Sequence, residues 1–216
     1  MIAKMRKIFC SCFFFAFLVL PWANAQQNFI TFDAVCTGLQ GHSVTVGDFS
    51  KIQKSKSSHV QTKSTGTFVI SGNGIVWTTE KPSISVMVAS RSKVMEIAPD
   101  GVRTVLSGND KTLFSGVAES LASLFSGDMR SLQGKFDVQF LQASSFWKIV
   151  LSPKETSMKK VVSNITLGGK SVSDNDIYLD SLNISEVGGD STSYLFRNQS
   201  YKDRLSDEET SFFTAE

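Results

Sequence analysis

Hydrophobic spacing changes character several times along this chain. From Ile8 to Leu20 the residues are apolar except for Ser11, behind a positive lead of Lys4, Arg6 and Lys7. Next comes the helical spacing i, i+3, i+4, i+7 in Phe32, Val35, Cys36 and Leu39, with Thr31 placed to cap and Gly41 to stop. From Val44 the period falls to two. Val44 and Val46, continued by Phe49 and Ile52, open a strand that runs into the polar stretch 51–63, a long hairpin tip or a frayed strand pair. Lys51, Lys54, Lys56 and Lys63 in that stretch read as a solvated run, with a basic docking surface as the alternative.

Short strands then recur at the spacing of an antiparallel meander. Thr67–Ser71, Ile75–Thr79, Ile84–Ser90, Val94–Ala98 and Val102–Leu106 are punctuated by Gly72-Asn73-Gly74, Glu80-Lys81-Pro82 and Pro99-Asp100-Gly101. In Ile84, Val86 and Val88 alternation puts the apolar side chains on one face. One segment breaks the pattern. Leu113, Phe114, Val117, Ala118, Leu121, Leu124 and Phe125 form a wide helical stripe ending at Gly127. The meander resumes with Lys135–Gln142, Phe146–Leu151, Met158–Leu167, a turn at Gly168-Gly169, Val172–Ile184 with a break, and Tyr194–Tyr201. An acidic tail from Asp203 is expected to fray. About ten or eleven strands with an N-terminal and a central helix predict a mainly β, α+β fold: one large antiparallel sheet curved into an open or closed barrel, with two packed sheets as the rival.

The first segment changes what composition means. Lys4 to Lys7, about 13 apolar residues, and Trp22-Ala23-Asn24-Ala25 before Gln26 have the three-part plan of a signal peptide cleaved after Ala25. A membrane-spanning helix needs about 20 apolar residues. The whole chain of 216 residues carries 22 basic against 20 acidic groups. Loss of Lys4, Arg6 and Lys7 leaves 19 against 20, a net charge of −1, and Cys36 as the remaining thiol. These values give no footprint for nucleic acid and no disulfide framework. The expected organisation is a leader at 1–25, one domain at 26–205 and an acidic tail at 206–216.

Chemistry-bearing motifs are scarce. His42 and His59 lie 17 residues apart in polar sequence, and the exported part holds no Cys-x-x-Cys, no His-Glu-x-x-His and no Gly-x-Ser-x-Gly. The sequence therefore predicts a non-enzyme without cofactor or metal. Sequons at Asn164, Asn183 and Asn198 are about as frequent as composition alone supplies.

Three stretches carry a family resemblance: Ser64-Thr-Gly66-Thr-Phe68, Gly74-Ile-Val-Trp77-Thr-Thr-Glu80-Lys-Pro82, and Phe146-Trp-Lys-Ile-Val-Leu-Ser-Pro153-Lys. With Met158-Lys-Lys through Tyr194 in the place of the final meander, residues 30–201 resemble the LolA family, periplasmic carriers of lipoproteins to the bacterial outer membrane. The family's Arg-Pro falls on Ser71-Gly72 here, Val76 precedes Trp77 where the family has Arg or Asn, and Lys51 stands where many members have Gln.

The resemblance implies an 11-strand unclosed half-barrel with helical cover and a monomeric periplasmic carrier. Its cargo would be an acyl lipid or lipoprotein, passed from an inner-membrane exporter to an outer-membrane acceptor. The alternative is a periplasmic sensor or adaptor domain that binds lipid or protein without transporting it. By parity, Ile75, Trp77, Val86, Val88, Phe140, Trp147 and Ile149 are expected to face the lipid cavity. Leu113, Val117, Leu121 and Leu124 would line the lid.

Overall fold

The computed structural model describes residues 30–90, 93–173 and 176–214. The leader and its cleavage site lie outside the described residues.

Helix α1 (Phe32–Gln40) starts where Thr31 Oγ1 accepts a hydrogen bond from the Ala34 N–H at 3.1 Å, and ends at Gly41. Six strands follow as a meander: β1 (Val44–Lys54), β2 (Gln61–Ser71), β3 (Gly74–Lys81), β4 (Ser85–Ser90), β5 (Val94–Ile97) and β6 (Arg103–Val105). The polar stretch after Lys51 is largely strand, since β1 and β2 stay in register down to Lys54 opposite Gln61. Then come α2 (Gly108–Ser126), α3 (Met129–Lys135), β7 (Phe136–Ala143), β8 (Phe146–Pro153), α4 (Thr156–Lys159), β9 (Val162–Ser173), β10 (Asp176–Glu186), β11 (Ser191–Lys202) and α5 (Asp207–Thr214).

All eleven strands form one antiparallel sheet in the order β6-β5-β4-β3-β2-β1-β11-β10-β9-β8-β7. Two meanders are thus joined at the centre, where β1 pairs with β11, and the edges β6 and β7 do not pair with each other. The chain must therefore cross from one edge to the other between β6 and β7. Laid flat, ten strand intervals would separate these edges by roughly 48 Å, whereas the 19 residues of α2 span about 28 Å. Curvature brings the edges close enough, and α2 packs across the concave side against β2, β3, β4 and β5. The result is an open half-barrel whose hollow is covered by α2 over β2–β5 and by α1 and α3 toward β10 and β7.

Three expectations are corrected, at Gly168-Gly169, at the start of the Met158–Leu167 strand and in the acidic tail, and segment 129–135, for which no element was expected, adds a helix. Gly168 and Gly169 are interior to β9 and make no turn; Trp147 lies opposite Gly169 with its ring packed over it, so a Cβ at Gly169 would come within 2.5 Å of Trp147 Cζ2. Segment 129–135 forms α3, capped by Asp128, whose Oδ1 accepts from the Ser131 N–H at 3.0 Å. Residues 156–159 form α4, a helical turn ahead of β9. Beyond Asp203 the chain folds into α5, which docks on the convex face.

Candidate functional site

The concave face is one continuous apolar layer. Strand pairing fixes which residues share it. Ile75 and Trp77 stand opposite Ile70 and Phe68 of β2, and Phe49 of β1 stands opposite Phe196 of β11. Across the C-terminal half, Ile149 stands between Phe140 of β7 and Leu167 of β9, and Leu167 stands opposite Leu182 of β10. These residues join the main hydrophobic cluster with Val35, Cys36 and Leu39 of α1 and with Leu113, Val117, Leu121 and Leu124 of α2.

Leu113, Val117, Leu121 and Leu124 of α2 are thus packed against this layer, and Ile75, Trp77, Trp147 and Ile149 each have at most 2% of their surface exposed. Phe140 is half-buried on the same face and meets Phe32 at 5.7 Å between ring centroids.

Val86 and Val88 are on the other face, which corrects the parity reading. Trp77 pairs with Met87 and Ile75 with Ala89, so Val86 and Val88 accompany Thr78 and Val76 on the convex side. There Val76, Val88 and Met95 form a second cluster, flanked by Val69, Val86 and Ile97 and covered by Phe212 and Phe213 of α5. Strand β4 is apolar on both faces, so alternation within it cannot name the inner one.

Sequence reasoning also missed an aromatic group at the centre of the hollow. Trp77 stacks on Tyr194 at 5.3 Å and meets Phe114 of α2 edge-on at 6.1 Å. Tyr194 packs against Phe49 at 5.7 Å, and Phe68 against Phe196 at 4.7 Å. Burial pushes the Tyr194 phenol well above the usual tyrosine range. A signal existed in the alternation of Tyr194 and Phe196, but pairing β1 with β11 requires the tertiary fold.

Among the described residues, three buried side-chain polar atoms have no hydrogen-bond partner: Trp77 Nε1, Trp147 Nε1 and Thr45 Oγ1. Cys36 is inert packing, its sulfur 3.4 Å from Met129 Sδ and its pKa pushed up to about 12 by burial, with Asp33 adding to the rise. Among the described residues no group of His, Cys, Asp and Glu could hold a metal ion, and no helix is long and apolar enough to cross a membrane.

An open, strongly curved antiparallel sheet, lined with aliphatic and aromatic side chains and crossed by a helix, defines a half-barrel built around an apolar interior. Residues 40–213 match the family described as outer membrane lipoprotein carrier protein LolA, and the chain belongs to that family. Membership supports a lipid- or lipoprotein-binding role. No curated protein matches the chain in sequence.

Among solved structures, it is similar to a DUF1329 family protein of Desulfovibrio piger at 9% identity and a TM-score of 0.51, over 85% of this chain and 95% of that one. A LolA superfamily protein of Nitrosomonas europaea shares 9% identity, with a TM-score of 0.46 over 83% and 96%. The lipoprotein LppX of Mycobacterium tuberculosis shares 12% identity, with a TM-score of 0.35 over 82% and 99%. The Desulfovibrio piger protein shares the fold of this chain.

Proposed function

We propose that the protein is a periplasmic carrier that takes up the acyl chains of a lipoprotein or another lipid between α2 and the concave sheet and delivers them toward the outer membrane. The observation that carries this reading is the inner apolar layer and its cover. The sheet presents far more apolar side chain than α1 alone could bury; α2 covers it over β2–β5, and α1 and α3 complete the cover toward β10 and β7.

Both ends of α2 suit a hinge. Gly108 and Gly127 bracket α2 with φ of +62° and +75°, a region open to glycine at little cost. Ser107, the N-cap residue, makes no side-chain capping bond. Movement of α2 away from Trp77 and Tyr194 would expose a hollow whose lining an acyl chain can replace contact for contact.

Energetics fit a carrier. Each methylene withdrawn from water is worth about 0.8 kcal/mol, so a ~16-carbon chain gains roughly 12 kcal/mol before ordering costs. Most of this must be matched by protein surface during transit. Repacking of α2 against the sheet opposes binding, which keeps affinity below that of an acceptor and makes release possible. An inner-membrane exporter and an outer-membrane acceptor are the partners this role requires.

The test is lipid extraction from vesicles carrying a labelled acylated peptide. The exported protein should remove the label into the soluble fraction, and Leu121→Glu, which places a carboxylate at the α2–sheet contact, should abolish removal while export continues. Extraction undiminished in Leu121→Glu would contradict the assignment of α2 as the lid.

A further inference from the structure

The concave face carries a cation where its apolar layer gives way to exposed strand. On β1, Phe49 is buried; two residues on, Lys51 faces the same side, paired with Tyr194 of β11, and Gln53 and Lys54 beyond it are exposed. The Lys51 ammonium lies over the Tyr194 ring, 6.0 Å from its centroid. The same ring is stacked on Trp77, whose buried indole N–H has no acceptor.

Lys51 takes part in none of the salt bridges among the described residues. Burial lowers its pKa, and the more distant Glu96 carboxylate, on an exposed residue of β5, counters only part of that. A partly buried ammonium over an aromatic ring, with no carboxylate within salt-bridge distance, is placed to take an anionic partner.

Resting on the carrier reading above, we propose that Lys51 forms a head-group subsite for an anionic lipid, the acidic group held at Lys51 and the acyl chain running inward beneath α2. Position supports this. An amphiphile in the hollow has its polar–apolar boundary where the wall changes from Phe49 to Gln53, and Lys51 stands at that boundary. Exposed Lys54, Lys56 and Lys63 add positive potential at the same end of the β1–β2 pair. A phosphate or carboxylate would complete charge-assisted hydrogen bonds that the protein itself leaves unmade.

The test uses the full exported protein, stripped of lipid, and two ligands that differ by one group: 1-palmitoyl lysophosphatidate and monopalmitoylglycerol. Binding of each is followed by isothermal titration to wild type, Lys51→Met and Lys51→Arg. Wild type should favour the phosphate lipid by about tenfold or more. Lys51→Met should erase that preference while leaving monopalmitoylglycerol affinity unchanged, and Lys51→Arg should retain it. A preference that survives in Lys51→Met, or its absence in wild type, overturns the subsite and leaves the carrier reading standing. Binding of neither lipid by wild type overturns both. Inorganic phosphate alone should not compete; competition at concentrations comparable to the lipid would make this a free-anion site and overturn the lipid assignment.

Discussion

Trp77 on β3 and Tyr194 on β11 are separated by two intervening strands, yet their rings stack at 5.3 Å with 28° between planes. Three strand intervals amount to about 14 Å on a flat sheet. The contact is therefore a direct measure of curvature: the sheet bends sharply enough to close its centre on an aromatic pair, and Phe114 of α2 meets the Trp77 ring of that pair edge-on.

Trp77→Ala should remove the keystone of this packing. The expected loss is about 3–5 kcal/mol, the range for a buried large aromatic. It is measured as a shift of the denaturant midpoint with an unchanged slope. A loss under about 1 kcal/mol would mean that the ring sits in a hollow already open to water.

Gly169 makes room for the other indole. A Cβ there would meet both Trp147 Cζ2 and the Tyr178 carbonyl oxygen, and backbone cannot yield cheaply. Gly169→Ala should cost at least about 2 kcal/mol and lower Tm by roughly 5 °C or more. Unchanged melting would contradict the close approach of β8, β9 and β10 at this point.

Reading Gly168-Gly169 as a turn failed for a physical reason: glycine pairs mark turns by conformational freedom, but here Gly169 serves as a floor for an indole ring, a role visible only once β8 and β9 are paired. Val86 and Val88 failed differently. Val86, Met87, Val88 and Ala89 offer apolar groups to both faces, so parity is preserved but its sign is lost; the pairing of Met87 with Trp77 supplies the sign. The α2 stripe was legible because its helical spacing ends at Gly127, which stops the helix in the left-handed conformation, and the neighbouring Asp128 N–H donates to the Ser123 carbonyl at 2.9 Å.

The C-terminal helix reads in sequence as a fraying acidic tail because its charge outweighs its capping signal. Ser206-Asp207-Glu208-Glu209 is a capping box: the Glu209 N–H donates to Ser206 Oγ at 3.2 Å, and the Ser206 N–H donates to Glu209 Oε2 at 2.8 Å. Phe212 and Phe213 of that helix cover Val76, Val88 and Met95. Phe212→Ala with Phe213→Ala should cost about 1–2 kcal/mol and raise binding of a hydrophobic dye. No change in dye binding would mean that the convex cluster is closed without α5.

That cover should loosen in acid. Burial raises the Glu209 pKa, but hydrogen bonds from Lys202 and Ser206 outweigh it, and the net shift is below the ordinary value of 4.5. A carboxylate depressed by folding stabilises above its unfolded pKa and loses that contribution as pH falls through the folded value. Amide exchange in 207–214 should accelerate below about pH 4.5 in wild type. In Glu209→Gln it should be fast and nearly pH-independent after correction for intrinsic rates. Equal pH profiles would remove Glu209 as the cause.

Cys36 reports on the α1 contact. With its thiol buried and its pKa pushed up to about 12, labelling by a disulfide reagent at neutral pH should be slow and limited by opening. It should become fast in denaturant. Rapid labelling of the native protein would show α1 leaving the sheet far more often than the packing implies.

Acyl chains held in the half-barrel should be detectable on the protein itself. The most direct measurement is mass spectrometry of the protein purified after export, under native conditions and after organic extraction. An acyl lipid should co-purify at about one molecule per chain and be lost on extraction. A protein that is lipid-free under native conditions, and that takes up no lipid when mixed with vesicles, would contradict acyl-chain binding by the half-barrel.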